Sequence, residues 1–270
     1  MSSKIKVDTI ENVAGSGNVS LGSGHNLVVP GDITVNTNKL FVDASTDYIG
    51  IGTTSPATAT GGGIDIHRNG GSSVRIDDTT NSVTGELQVY SAGLNLATVT
   101  NHNLVLSTNN SAKMTIDGSG RITTPSQPSF MVRGNNAAWV SVSSGSTAIM
   151  EFDGNVSHNV GNHYSTANDR FVAPVAGRYL FVVHAYVDTG GSSNDNGPYG
   201  FIRLRKNGSN IPAVNHIFGY KNAEDHDQQC AFSAILELAA NDYMQVGIQA
   251  QNGAVRHYGD SSVFYGHLLG

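Results

Sequence analysis

Cysteine is almost missing from this chain: Cys230 is the only one. A single thiol cannot close an intrachain disulfide, so no cysteine framework staples the fold or points to secretion. Set in the strand-like run Cys230-Ala-Phe232-Ser-Ala234, it reads as a small buried apolar residue. A catalytic thiol would need a paired base and an activating environment, and no such pair can be identified. Charge is scarce as well. Only 13% of the residues are Asp, Glu, Lys or Arg, about half the usual share, and the formal net charge is -6. There is no block of Lys and Arg and no basic stripe interleaved with aromatics, so nucleic-acid binding has no electrostatic footing. No run approaches the ~18 apolar residues of a membrane span. The opening Met1-Ser-Ser-Lys-Ile-Lys-Val7 lacks the apolar centre of a signal peptide. The expectation is a protein made in a cytoplasm, without membrane insertion and without a cleaved leader. Amphipathic helical periodicity is missing throughout.

What remains is glycine, with 32 of 270 residues, and recurring Val and Ile in alternation with Asn, Ser and Thr. That composition predicts an all-β protein of short strands and turns. Lys4 to Ile10 alternates as a strand. Asn18–Leu21, Asn26–Val29 and Asp32–Val35 follow, punctuated by Gly15-Ser-Gly17, Gly22-Ser-Gly24 and Pro30-Gly31. The pattern continues to about residue 125. Two stretches nearly repeat. His25-Asn-Leu-Val-Val29 matches His102-Asn-Leu-Val-Leu106, and Lys39-Leu-Phe-Val-Asp43 matches Lys113-Met-Thr-Ile-Asp117, each Lys…Asp unit being followed by a short strand. Self-similarity of this kind is a sign of an array or shaft. Gly50-Ile-Gly52 is not a nucleotide loop, because no third glycine opens a helix and no Lys-Ser/Thr follows.

Such strands bury little alone. A buried Val or Ile contributes ~1.5–3 kcal/mol, against ~1–2 kcal/mol of backbone entropy for each residue fixed. Three chains on a common axis would share one core and cover exposed strand edges. Residues 1–125 therefore read as a β-rich attachment and shaft region that needs partners of its own kind. Thr123-Thr-Pro-Ser-Gln-Pro-Ser129 carries two prolines in a polar run, and residues 126–129 read as a linker. Residues 130–270 then supply strands at Phe130–Arg133, Trp139–Val142, Ala148–Phe152, Leu180–Asp188, Gly200–Arg205, Cys230–Leu238, Tyr243–Ala250 and Val263–Leu269. That number suits a jelly-roll sandwich. At its centre, Ala173-Pro174 holds the chain extended and Gly177 permits a turn. After it, Tyr179, Phe181 and Val183 alternate with Arg178, Leu180 and Val182, so an aromatic face enters the core.

Several of these motifs occur together in a known order. Phe171-Val-Ala-Pro-Val-Ala-Gly-Arg-Tyr179-Leu-Phe181, then Arg205-Lys-Asn-Gly208, Leu236-Glu-Leu238 with Asn241-Asp242, and Ser262-Val-Phe-Tyr-Gly266-His-Leu-Leu269 resemble the complement globular head and the tumour-necrosis-factor-like jelly rolls. The resemblance covers the second half of the chain and implies a two-sheet sandwich assembling as a homotrimer. Ile49-Gly-Ile-Gly-Thr-Thr-Ser-Pro56 and the opening Lys4-Ile-Lys-Val-Asp-Thr-Ile-Glu-Asn12 are similar to segments of phage tail fibres. That likeness implies a virion protein: a tail fibre, or alternatively a capsid-attached head fibre or decoration protein. It also implies contact with other virion proteins through the N-terminal region.

Candidate chemistry is sparse. Asp225-His226-Asp227 is the densest ligand-like cluster and could take Ca²⁺ or a metal on a three-fold axis, or be a solvated loop. No cofactor is otherwise implied. Glu151, Asp153, Asp188, Asp195, Glu224, Asp225 and Asp227 offer carboxylates for a glycan-degrading spike, but spacing pairs no two of them. No Gly-x-Ser-x-Gly elbow is present, and the reading is non-catalytic. The loops Gly190–Tyr199, Phe218–Gln229 and His257–Asp260 mix aromatics with short polar groups suited to sugars. Tyr199, Phe218, Tyr220, Asp225, His226, Asp227, His257 and Tyr258 are therefore the candidate ligand-binding residues, for a host-surface glycan or protein receptor. His184 reads as a core or interface residue.

Overall fold

The computed structural model of the protein describes residues 33–35, 40–43, 48–53, 63–135, 137–189, 197–219 and 227–270, with backbone alone at 33–35, 40–43 and 48. Every helix or strand among them is a β-strand. The sequence-predicted strands before Asp32 lie outside the described residues. The chain divides into two compact units, Met1–Leu104 and Val105–Gly270.

In the first unit, β1 (Ile33–Val35), β2 (Leu40–Asp43), β3 (Tyr48–Ile51) and β4 (Gly63–Ile66) form one sheet in that order. The first three are antiparallel, and β3 runs parallel to β4. Next, β5 (Ser72–Asp78), β6 (Val83–Tyr90) and β7 (Gly93–Thr98) form an antiparallel meander. A small sheet of β8 (Leu104–Thr108), β9 (Ser111–Ile116) and β10 (Ile122–Thr123) follows, in the order β10-β9-β8. The repeated Lys…Asp units both form hairpins. Val42 faces Ile49 across β2 and β3, and Ile116 faces Ile122 across β9 and β10. The second hairpin is closed by the Asp117 carboxylate, which accepts from the Ser119 and Arg121 amides and the Arg121 guanidinium.

The head is built from β11 (Ser129–Arg133), β12 (Trp139–Val142), β13 (Thr147–Ile149), β14 (Val156–Val160), β15 (Tyr164–Ser165), β16 (Arg170–Val172), β17 (Gly177–Asp188), β18 (Tyr199–Lys206), β19 (Ser209–Phe218), β20 (Gln228–Leu238), β21 (Tyr243–Gln251) and β22 (Val255–Leu268). The front sheet runs β14-β11-β22-β17-β20, with β12 also on β22. The back sheet runs β15-β16-β21-β18-β19, with β13 on β21. The strand expected at Ala148–Phe152 is shorter and ends at Ile149.

Alternation decides what enters between the sheets. Along β17, Tyr179, Phe181, Val183, Ala185 and Val187 are buried, while Leu180, Val182 and Tyr186 keep partial exposure. Phe130 stands at the middle of an aromatic cluster, stacked on Tyr164 at 4.9 Å and Phe171 at 5.0 Å, with Phe264 edge-on at 5.0 Å. Gly266 makes that cluster possible, since a Cβ there would come within 2.7 Å of the Phe130 ring and 2.9 Å of the Phe181 ring. Gly177 acts the same way. It opens a strand rather than a turn, and a Cβ would meet the Leu268 side chain at 2.8 Å. The Ala173-to-Gly177 corner is held from within by the Tyr179 phenol, which donates to the Val175 carbonyl at 2.8 Å. Cys230 is buried, and burial pushes its thiol up to about 11, far from a reactive range. His184 is exposed on the outer face of the front sheet rather than in the core, with its ring 6.3 Å from that of Tyr265.

Candidate functional site

The strand registers bring three connections to one end of the sandwich. β17 ends at Asp188 where β18 begins at Tyr199, β19 ends at Phe218 where β20 begins at Gln228, and β21 ends at Gln251 where β22 begins at Val255. The chain enters the head at the other end, where Ser129 pairs with His267. Two of the three loops singled out from sequence, Gly190–Tyr199 and Phe218–Gln229, thus join strands at the distal end. The third, His257–Asp260, is not a loop: it lies inside β22.

β22 carries the site through a wide bulge. Tyr258 faces Tyr186 and Val263 faces His184, so residues 259–262 oppose Ala185 alone. Ser262, fully buried, repairs the interrupted ladder: its hydroxyl donates to the Tyr258 carbonyl at 2.8 Å and accepts from the Tyr186 amide at 3.0 Å. This fixes a cross-strand row of Trp139, Tyr258 and Tyr186 on the outer face of the front sheet. The Trp139 ring stacks on Tyr186 at 5.5 Å and meets Tyr258 edge-on at 5.5 Å. The Arg256 guanidinium lies 4.7 Å over Trp139 and is ion-paired with buried Asp188. The Tyr186 phenol donates to the Asp227 carboxylate at 2.5 Å, and that bond to an anion raises the phenol above its ordinary titration range.

The candidate residues fall into three groups. Tyr258 and Asp227 are brought together through Tyr186. Tyr199 sits on the back sheet, edge-on to Phe201 at 5.6 Å. Phe218 and His257 are corrected by their burial, at 2% and 1% exposure: each faces inward in its strand's alternation and offers no ring face to a ligand. Tyr220, Asp225 and His226 lie outside the described residues. Beside them, the Gly219 amide donates to the Gln228 side-chain carbonyl at 3.2 Å. Among the described residues no three His, Cys, Asp or Glu side chains converge as a metal ion would require. Trp139, Tyr186 and Arg256 were not singled out from sequence, because only the register joins residues 139, 186 and 256–258.

The outer faces of the two sheets differ. On the front sheet Met131, Tyr265 and Val182 stand side by side on β11, β22 and β17, and Leu180 pairs with Ile235 in the next row. Ile235 is 60% exposed, and neither row contains a carboxylate. On the back sheet Arg203, Arg205, Gln245 and Gln249 share the outer face with Phe201 and Ile217, the latter 60% exposed, and Arg203 stacks over Phe201 at 4.2 Å.

The sequence profile of the C1q domain matches residues 130–269. No curated protein sequence matches the chain. Solved structures similar to it include the globular domain of zebrafish complement 1qA, at 20% identity over 53% of this chain and 98% of that one, with a TM-score of 0.38. Eiger TNF from S. frugiperda is similar at 17% identity over 53% and 93%, with a TM-score of 0.40. Murine APRIL is similar at 12% identity over 53% and 99%, with a TM-score of 0.37. With just over half its length matched, from the first strand of the sandwich to the last, the chain belongs to the C1q-domain family.

Proposed function

We propose that the protein is a homotrimeric, non-catalytic adhesion fibre whose C1q head binds a partner on a cell surface. The observation that carries this reading is the contrast between the head's two outer faces. The rows around Tyr265, Val182 and Ile235 are uncharged and need cover, whereas on the back face the exposed Ile217 stands among Phe201, Arg203, Arg205, Gln245 and Gln249. Copies meeting on the front sheet cover those rows. The same packing gathers the distal ends of three heads into one tip, where weak single-site contacts add up as avidity. Aromatic rings beside carboxylates, as in Tyr258, Tyr186 and Asp227, fit a glycan, and Tyr199 offers a further ring on the back sheet toward the same end.

The short-strand first half serves as attachment and shaft. Its likeness to phage tail-fibre segments favours a tail fibre on a virion, binding a host-surface glycan. The test is a glycan array probed with the full chain, together with host-cell adsorption. Retention of label on a glycan without release of product supports the reading. Reducing ends accumulating over time would make the protein a glycan-degrading spike, and no retention on any cell or glycan would remove the adhesion role.

A further inference from the structure

We infer that the meander of β5, β6 and β7 is one third of a three-chain core, its apolar face closed by the same sheet from two further copies of this chain. Register sorts its side chains cleanly. Ser72 faces Val89, Val74 faces Leu87 and Ile76 faces Gly85, while Leu87 faces Leu96 and Val89 faces Leu94. Directly opposed residues share a face, so Val74, Ile76, Leu87, Val89, Leu94 and Leu96 form one aliphatic block over three strands. All six are exposed, from 44% at Val74 to 73% at Ile76.

The opposite face is polar and internally satisfied. The Arg75 guanidinium bonds the Asp77 carboxylate at 2.9 Å, and the Thr84 hydroxyl donates to the same carboxylate at 2.6 Å. Glu86 and Asn95 share that side by register. Every buried hydrophobic residue of the core cluster lies between Phe130 and Leu268, so among the described residues of the first unit nothing forms a second layer over the aliphatic block. Six adjoining aliphatic side chains left in water make a contiguous apolar patch of the kind that marks an interaction surface. The occupant must be apolar, flat and of matching length. An identical face meets all three conditions, since the six positions carry no charge and Asp78, which shares the face opposite Val83, stands at its end with its carboxylate held by the Thr80 and Asn81 amides.

The count of three rests on the homotrimer reading of the head, whereas the choice of face does not. The experiment is hydrogen exchange of residues 72–98 in the full chain, with mass by light scattering. Wild type is compared with Leu87→Asp at the centre of the block and with Gln88→Asp on the polar face. Trp139 is the single tryptophan, so its fluorescence reports folding of the head separately. The expected result is a three-chain mass with these amides protected about a hundredfold in wild type and Gln88→Asp. In Leu87→Asp that protection is lost while Trp139 fluorescence is unchanged. A three-chain mass with 72–98 unprotected in wild type overturns the inference and leaves the head reading standing. So does protection that survives Leu87→Asp. A one- or two-chain mass in wild type overturns both.

Discussion

Tyr186 on β17 and Asp227, the residue just before β20 and 41 positions further along the sequence, are joined by a 2.5 Å hydrogen bond from phenol to carboxylate. This bond pins the start of β20 beside the aromatic row at the distal end of the head. Tyr186→Phe removes the bond and keeps the ring. The expected outcome is a small loss of stability, on the order of 1 kcal/mol, with a larger loss of adsorption to the target surface. A melting curve and an adsorption assay separate the two. Unchanged adsorption would take Asp227 out of the binding surface.

Ser262 is predicted to matter more for stability than its size suggests. Ser262→Ala leaves the Tyr186 amide unpartnered at a buried bulge, a cost of about 1–3 kcal/mol. Denaturant melts give the loss directly, and a value near zero would mean that the bulge closes its ladder by another route.

The aromatic core should be the head's largest single source of stability. Phe130→Ala removes a ring with no more than 1% exposure from contact with Tyr164, Phe171 and Phe264, and should cost ~3–5 kcal/mol. Tyr179→Phe, which loses only the bond to the Val175 carbonyl, should cost ~0.5–1.5 kcal/mol. Both are read from denaturant melts of the full chain at fixed concentration, and equal losses would contradict the assignment of these roles.

How much of this was legible follows from which signals are local. Alternation along residues 177–188 put Tyr179 and Phe181 inside and Leu180 and Val182 outside, and the fold agrees, because a strand's two faces are written in consecutive residues. β19 was not legible. Pro212 and the polar residues around it break the alternation, and the strand tolerates them because it lies at the sheet edge with a bulge, where Arg203 faces Asn215 and Arg205 faces Asn210. Within that bulge Ala213 adopts a φ of 61°. His257-Tyr-Gly-Asp260 looked like a loop for the same reason: its glycine and aspartate belong to a bulge inside a long strand. The aromatic row was illegible because it is made by register between β12, β17 and β22, which no local pattern encodes.

Buried His257 and half-buried Asp169 pull stability in opposite directions with pH. Burial lowers His257 from 6.5 to about 4, and its Nδ1 has no partner. Between those values the unfolded chain binds more protons than the folded one, so this contribution is full above pH 6.5 and lost as pH falls toward 4. Asp169 is raised by burial from 3.8 to about 6, against the lowering effect of the Phe152 amide it accepts from. Here the folded state holds the extra proton, so stability falls as pH rises through that window. His257→Leu should flatten the acid side of the melting profile, and Asp169→Asn should raise the melting temperature at pH 8 more than at pH 4. The reverse pattern in either variant would contradict the burial assigned to that residue.

The most direct test is the mass of the full chain in solution by light scattering. Apolar rows on the front sheet and on the β5–β7 meander left open by a single copy predict three times the mass of one chain, with Ile235→Asp on the head lowering it. A folded chain of unit mass, with melting independent of protein concentration, would contradict the account at its root.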